Sequence, residues 1–282
     1  MVDAKLTHEE QMMARAINNA TKARPRCMPN PWVGAVLVSS NGQVFDGFTQ
    51  EFGGEHAETV CLNEAGEKAQ GATLFVTLEP CSHIGKTGPC VERIIESGIS
   101  RVVIGMKDPD HQVYGEGIKS LRNAGIDVTV GVLEALVSDQ LAPYVHHRKT
   151  GRPYVILKIA TTLDGKVAAP DGSSQWITGP EARREGHKLR AYSDAICVGK
   201  GTVISDNPQL TVRDWMPDDG ILQNLDPRRV VLGKVPTEAA VHPCYEFTGD
   251  LFGLLEELGD DGVLQLLVEG GASTYKAFHD LG

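Results

Sequence analysis

The sequence predicts an α/β protein of two domains, and three observations carry that prediction. At 282 residues the chain has the length of two domains of ordinary size. Short apolar runs alternate with amphipathic helical stretches through both halves, the pattern of mostly parallel sheets flanked by helices. Between the halves, residues 146–153 (HHRKTGRP) are basic and broken by Gly and Pro; they read as a linker between domains at 1–145 and 154–282.

In the first half, Thr7-His8-Glu9-Glu10 forms a capping box, followed by Met12, Met13, Ala16, Ile17 and Ala20 at helical spacing. Pro25 and the Pro29-Asn30-Pro31 cluster end that helix in an irregular loop. Residues 33–38 predict a strand, Asn41-Gly42 a hairpin turn, and 43–49 its antiparallel return. A helix is expected to open at His56, and a buried strand over 73–78 to deliver Cys81. After Cys90 the pattern gives a helix at 91–97, a strand at 101–106, a helix at 117–123 and a strand at 128–132. The result is an α/β/α sandwich whose sheet is parallel beyond the first hairpin. The second half predicts strands at 154–160, 194–198, 229–232 and 263–268, with helices at 180–191 and 271–279.

Composition narrows the class. With 41% hydrophobic and 23% charged residues the chain reads as a soluble globular protein. A net charge of -10 argues against a broad phosphate-binding surface, and so against nucleic acid as partner. Six cysteines in a chain this long do not resemble a disulfide framework. Cys61, Cys197 and Cys244 read as core or incidental thiols, and the compartment as the reducing cytoplasm. No apolar run suits a signal peptide or a membrane span.

The chemistry concentrates in His56-Ala57-Glu58 and residues 79–90 (EPCSHIGKTGPC). One imidazole and two thiolates are a ligand set for a tetrahedral zinc that keeps its fourth position open. Such a metal makes hydroxide available at neutral pH. Glu58, two residues past the His, is placed to shuttle protons without being a ligand. A His-x-Glu followed by Pro-Cys and a second Cys is the pattern of zinc deaminases, although eight residues separate Cys81 from Cys90 where that pattern has two. A closed structural site with His83 as fourth ligand is the competing reading. Both metal-bearing segments are expected at helix starts, where the dipole favours thiolate.

Taken together, the motifs resemble the bifunctional deaminase-reductases of riboflavin biosynthesis. The first half carries Pro29-Asn30-Pro31-Trp32-Val33-Gly34, His56-Ala57-Glu58 and the long 80–90 loop, which accounts for the wide thiol spacing. The second carries residues 158–166 (KIATTLDGK), 174–178 (SQWIT) and 206–213 (DNPQLTVR), and ends with Val268-Glu269-Gly270-Gly271. The resemblance implies a cytidine-deaminase-like first domain that hydrolyses an amino group from a diaminopyrimidinone bearing a phosphoribosyl chain. It implies a dihydrofolate-reductase-like second domain that uses NADPH to open the ribose to ribityl.

Carried over residue by residue, it implies that His56, Cys81 and Cys90 hold Zn2+ and that Glu58 moves protons. Asn30, His83, Lys86 and Thr87 match positions facing the pyrimidine and its phosphate. Ala160, Trp176, Thr202 and Asp206 match cofactor positions, and Gly270-Gly271 offers free amides to the NADPH diphosphate at a helix start. Ser174, Arg190, Leu210, Arg213 and Glu269 match substrate positions, with Arg190 and Arg213 the natural clamps for phosphate. The expected partners are small phosphorylated pyrimidines; homo-oligomers stay open, and a merely scaffolding second domain is the alternative reading.

Two departures accompany the resemblance. Thr49 stands where many relatives have His. The sequence stops at Gly282 where the family continues with further strands, so the second domain is expected to be incomplete at its C-terminal end and to reduce poorly.

Overall fold

The computed structural model describes residues 6–82, 88–111, 113–169, 177–218, 220 and 225–281. The chain divides into two compact units, residues 1–149 and 150–282.

In the first unit the capping box forms: Thr7 and Glu10 satisfy each other's backbone at the start of α1 (His8–Ala23). β1 (Gly34–Val38) pairs antiparallel with β2 (Val44–Phe48) and with β3 (Thr73–Leu78). β4 (Arg101–Met106) and β5 (Asp127–Val130) then continue in parallel, giving the order β2-β1-β3-β4-β5. Adjacent residues of a strand face opposite sides of the sheet, and here both sides are covered. A Cβ on Gly34 would lie 1.9 Å from the Ala16 carbonyl oxygen, so α1 lies on that face. A Cβ on Gly47, which pairs with the next residue Ala35, would lie 2.2 Å from the Ala57 oxygen, so α2 (Ala57–Ala65) lies on the other. The expected three-layer sandwich is present. α3 (Cys90–Glu96), α4 (Glu116–Asn123) and α5 (Glu134–Gln140) follow in chain order. The boundary between the units falls inside the expected linker at 146–153, whose first part is helical. Residues 146–150 belong to α6 (Ala142–Thr150), where Tyr144 is buried and anchors the helix before Gly151 turns the chain at φ 72°.

The second unit is a fully parallel sheet in the order β6-β10-β7-β8-β9, formed by β6 (Tyr154–Leu157), β7 (Ala195–Gly199), β8 (Arg228–Leu232), β9 (Tyr245–Phe247) and β10 (Gln265–Val268). Alternate residues feed two cores. Ala195, Cys197, Leu266 and Val268 pack with Leu254 and Leu258 of α9 (Leu251–Asp260) and Phe278 of α10 (Ala272–His279). Ile196, Val198 and Leu267 pack on the opposite face with Val203 of α8 (Lys200–Asp206) and Leu189 of α7 (Pro180–Ala191). Burial on both faces explains why these strands read as unbroken apolar runs. No helix among the described residues is long and apolar enough to cross a membrane.

Candidate active sites

His56 is the N-cap of α2 and makes no side-chain capping bond, which spares its imidazole for other work. Cys90 opens α3, and Cys81 follows β3 by a short loop. The His56 Nδ1 lies 3.3 Å from Cys90 Sγ and 3.6 Å from Cys81 Sγ. For a tetrahedral zinc with ordinary Zn–N and Zn–S bonds the expected N···S separation is about 3.6 Å. The donor set therefore fits a zinc ion in both chemistry and spacing, and all three ligand atoms lie within 4.8 Å of one another.

The electrostatics agree with that reading. The Cys90 thiol, then the His56 ring and the Cys90 backbone N–H, hold Cys81 down to about 4. Hydrogen bonding to that thiolate, together with burial, drives Cys90 up. The same thiolate raises His56 above its ordinary value. The site thus concentrates negative charge and retains protons that a dication would displace.

Glu58 is 3% exposed and stands outside the ligand cluster. Burial first, and the Cys81 thiolate second, push its carboxyl up to about 7. A carboxyl poised near neutrality can both accept and return a proton.

A cavity of about 160 Å³ opens beside these residues. Asn30, Thr49, His56, Glu58 and Cys81 line one part of it. The Asn30 backbone is tied down by its N–H to Cys27 O (2.9 Å) and by the Cys27 thiol on its carbonyl (3.3 Å). Thr49 accepts the Val33 N–H at 3.1 Å. His83, Lys86 and Thr87 lie outside the described residues.

Residues to which the sequence assigned no role also line the cavity: Glu79, Asp108, Asp110, Tyr144 and Arg148. Asp108-Pro109-Asp110 follows a parallel strand at its carboxyl end, where ligands bind in α/β sheets, so that signal was available. Tyr144 and Arg148 carried none: Arg148 fell within the expected linker, and Tyr144 stood just before it. Glu79 is 3% exposed and accepts three backbone N–H groups, from Asp108 (3.3 Å), Gly115 (3.0 Å) and Ile118 (3.1 Å). It fastens the loop after β4 to the turn that carries Cys81.

In the second unit, Ala160 follows β6, Thr202 and Asp206 lie on α8 after β7, and Glu269-Gly270-Gly271 follows β10. Ala160, Thr202 and Glu269-Gly270-Gly271 thus follow the carboxyl ends of three neighbouring parallel strands, where open α/β sheets place their ligands, while Asp206 ends α8. Gly271 caps α10, and a Cβ there would lie 4.0 Å from Thr202 Oγ1. Gly270 has no room for a side chain, since a Cβ would meet Thr274 Cβ at 2.6 Å. This small-residue turn at a helix start fits a diphosphate. Ser174 and Trp176 lie outside the described residues.

Arg190, expected to clamp phosphate, is engaged here with another expected substrate residue, Glu269. Its Nε and Nη2 donate to the two Glu269 oxygens at 2.8 and 2.9 Å, and Nη1 donates to Thr211 O at 2.9 Å. The physical reason is the match of a planar fork to a carboxylate that is only 10% exposed. Lys158 adds a second cation to Glu269 at 3.4 Å. Arg213 is exposed, with Nη1 on Gln209 Oε1 (2.8 Å) and Thr211 Oγ1 (3.1 Å). Leu210 is 2% exposed and adopts φ 57°.

Fold and site together define a zinc-type pyrimidine deaminase unit followed by a parallel α/β unit with a sheet-end binding crevice. Comparison with known families agrees. Residues 6–106 match the cytidine and deoxycytidylate deaminase zinc-binding region, and residues 153–282 match the RibD C-terminal domain. The riboflavin biosynthesis protein RibD of Chlamydia pneumoniae is 40% identical, with 95% of this chain and 80% of that protein covered. The Aquifex aeolicus RibD is 42% identical over 93% of this chain and 74% of its own length. Among solved structures, Acinetobacter baumannii RibD superposes with a TM-score of 0.87 at 36% identity, covering 97% of this chain and 83% of that one. A Thermotoga maritima diaminohydroxyphosphoribosylaminopyrimidine deaminase/5-amino-6-(5-phosphoribosylamino)uracil reductase superposes at 0.85 with 39% identity, covering 97% and 84%. The chain belongs to the RibD family of riboflavin biosynthesis proteins. Its first unit is cytidine-deaminase-like and its second has the dihydrofolate-reductase-like RibD fold.

Proposed function

We propose that the chain performs both reactions of its family. The first unit removes an amino group hydrolytically from 2,5-diamino-6-(phosphoribosylamino)pyrimidin-4-one, and the second reduces the ribosyl chain of the product to ribityl with NADPH. The observation that carries the reading is the convergence of His56 Nδ1 and the two thiols beside buried Glu58.

His56, Cys81 and Cys90 would hold zinc, which when bound supplies an activated water at neutral pH. Glu58 would accept a proton from the attacking water as its oxygen bonds to the amino-bearing carbon. The same carboxyl then returns the proton to the departing nitrogen, which leaves as ammonia. A resting pKa of about 7 suits both halves of the exchange. Asn30, at the cavity wall, can offer a donor and an acceptor to the ring edge. The 83–87 segment is assigned the phosphate, on the strength of Lys86 and Thr87.

In the second unit NADPH, when bound, supplies the hydride. Gly270 and Gly271 would present backbone amides to its diphosphate, with Thr202 beside Gly271 and with Ala160 and Asp206 assigned to the cofactor by the family resemblance. Glu269, held by Arg190 and Lys158, is a fixed acceptor for substrate hydroxyls. Arg213, which is exposed, is assigned the substrate phosphate. The reading places the enzyme in a reducing cytoplasm, which the six free thiols support.

The test is a two-step assay that follows ammonia release and NADPH oxidation separately. Arg213→Ala should cut reduction by the worth of one charge-assisted contact, ~1.5–3 kcal/mol, and leave ammonia release unchanged. A matched fall in both would contradict the separate-site assignment.

A further inference from the structure

The deaminase cavity holds more acid than its proton transfer requires. Glu58, Glu79, Asp108 and Asp110 all line it, and among its described lining residues Arg148 is the permanent cation. Arg148 and Tyr144 stand one turn apart on the same face of α6. The Tyr144 hydroxyl donates to Asp108, 2.9 Å from Oδ1 and 3.2 Å from Oδ2. Arg148 Nε lies 3.0 Å from Asp110 Oδ2, an ion pair by distance although its N–H is not aligned on the oxygen. The guanidinium stacks on the Tyr144 ring at 4.9 Å, and Nη1 sits 2.9 Å from His147 Nδ1. The Asp110 backbone N–H closes the cluster on Asp108 Oδ1 at 2.9 Å.

We propose that Tyr144 and Arg148 are positioning residues of the deaminase: they fix the Asp108 and Asp110 carboxylates as an acceptor wall that holds the amino-bearing edge of the pyrimidine. This rests on the reading of the cavity as the deaminase site. An aminopyrimidine presents exocyclic and ring N–H donors, and a buried wall built to accept them rejects analogues that lack them. A carboxylate must be kept ionised and fixed to serve so, and Asp108, the buried member of the pair beside half-buried Asp110, needs the help. Burial pushes it up to about 6, with Asp110 and Glu79 adding repulsion, while the Asp110 N–H and the Tyr144 hydroxyl oppose the rise. Arg148 supplies the positive charge of the cluster.

The test uses the full chain loaded with zinc and the diaminopyrimidine substrate. Tyr144→Phe removes only the hydroxyl, and Arg148→Met removes the charge while keeping the bulk over the ring. Each should raise KM by about tenfold, the worth of one bond to a charged group, with kcat little changed. Zinc content and Tm should match the parent. Tyr144→Phe should also move the acid limb of kcat/KM to higher pH, because Asp108 then holds its proton more tightly. In an Asp108→Asn background the Tyr144→Phe effect should vanish, since both act through one carboxylate. Parental KM and pH profile in Tyr144→Phe would overturn the proposal. So would loss of zinc or of Tm with a falling kcat, which makes Tyr144 a structural prop. Glu58→Gln is the control: if it still deaminates, the site reading itself has failed, whereas an inactive Glu58→Gln beside an unaffected Tyr144→Phe sinks this inference alone.

Discussion

Glu79→Gln should destabilise the first unit by about 3 kcal/mol while leaving zinc bound. The carboxylate is 3% exposed and accepts Ile118 N–H on Oε1 and both Asp108 and Gly115 N–H on Oε2. A glutamine amide has one acceptor oxygen, so either orientation turns its NH2 toward at least one backbone donor. The better orientation keeps the two bonds at the Oε2 position and strands Ile118 N–H, a buried donor worth ~1–3 kcal/mol. The two bonds kept become neutral, each losing roughly 1 kcal/mol against its charge-assisted form. The contacts at 3.0–3.3 Å are not short, which favours the lower end of the sum. For a unit of this size 3 kcal/mol corresponds to a fall in Tm of roughly 6–12 °C. Thermal unfolding of the full chain, with metal analysis on the same sample, reads it directly. A first-unit transition within about 2 °C of the parent would refute the reasoning, because water would then be satisfying those amides.

Other consequences can be checked alongside. Gly34→Ala places a Cβ 1.9 Å from Ala16 O and 2.6 Å from Ala20 N, both backbone atoms of α1. The helix must shift, and urea unfolding should show a loss of ~1–3 kcal/mol or more. Cys81→Ser should release zinc and soften the first unit, visible as reduced metal content and a lower first-unit Tm. Burial alone would raise Glu269, but the Arg190 fork and then Lys158 outweigh it and hold the carboxyl below its ordinary value. The folded state therefore binds fewer protons than the unfolded one, so this stability is present above the unfolded pKa near 4.5 and is lost as pH falls. Second-unit unfolding followed from pH 7 downward should show that loss, and Glu269→Gln should flatten it.

Much of this architecture was legible because local signals and tertiary packing agree. The Thr7 box, the Asn41-Gly42 hairpin and α7 from Pro180 to Ala191 form as the residues predict. The metal cluster was legible because its ligands sit at strand and helix ends whose patterns are strong. What escaped had conflicting chemistry. α9 carries an Asp250 cap and leucines at helical spacing, yet Gly253 and Gly259 weaken its pattern. Gly259 is there for packing, since a Cβ would meet Gly151 O at 1.9 Å. β9 spans only three residues, too few for a period to show. α6 hides behind a run of basic residues that resembles a hinge, and its cavity residues Tyr144 and Arg148 went unread with it. Arg190 was recognised as a site residue but not as the partner of Glu269, because that pairing joins positions far apart in sequence.

The measurement that tests the central claim most directly is metal analysis and ammonia release on Glu58→Gln beside the parent chain. The account predicts one zinc per chain in both, from the single His/Cys/Cys cluster among the described residues. It predicts ammonia release lowered ~10²- to 10⁴-fold in the variant, the usual worth of a general acid-base group. Zinc lost together with activity would make Glu58 a ligand, and ammonia release at the parental rate would place the chemistry elsewhere.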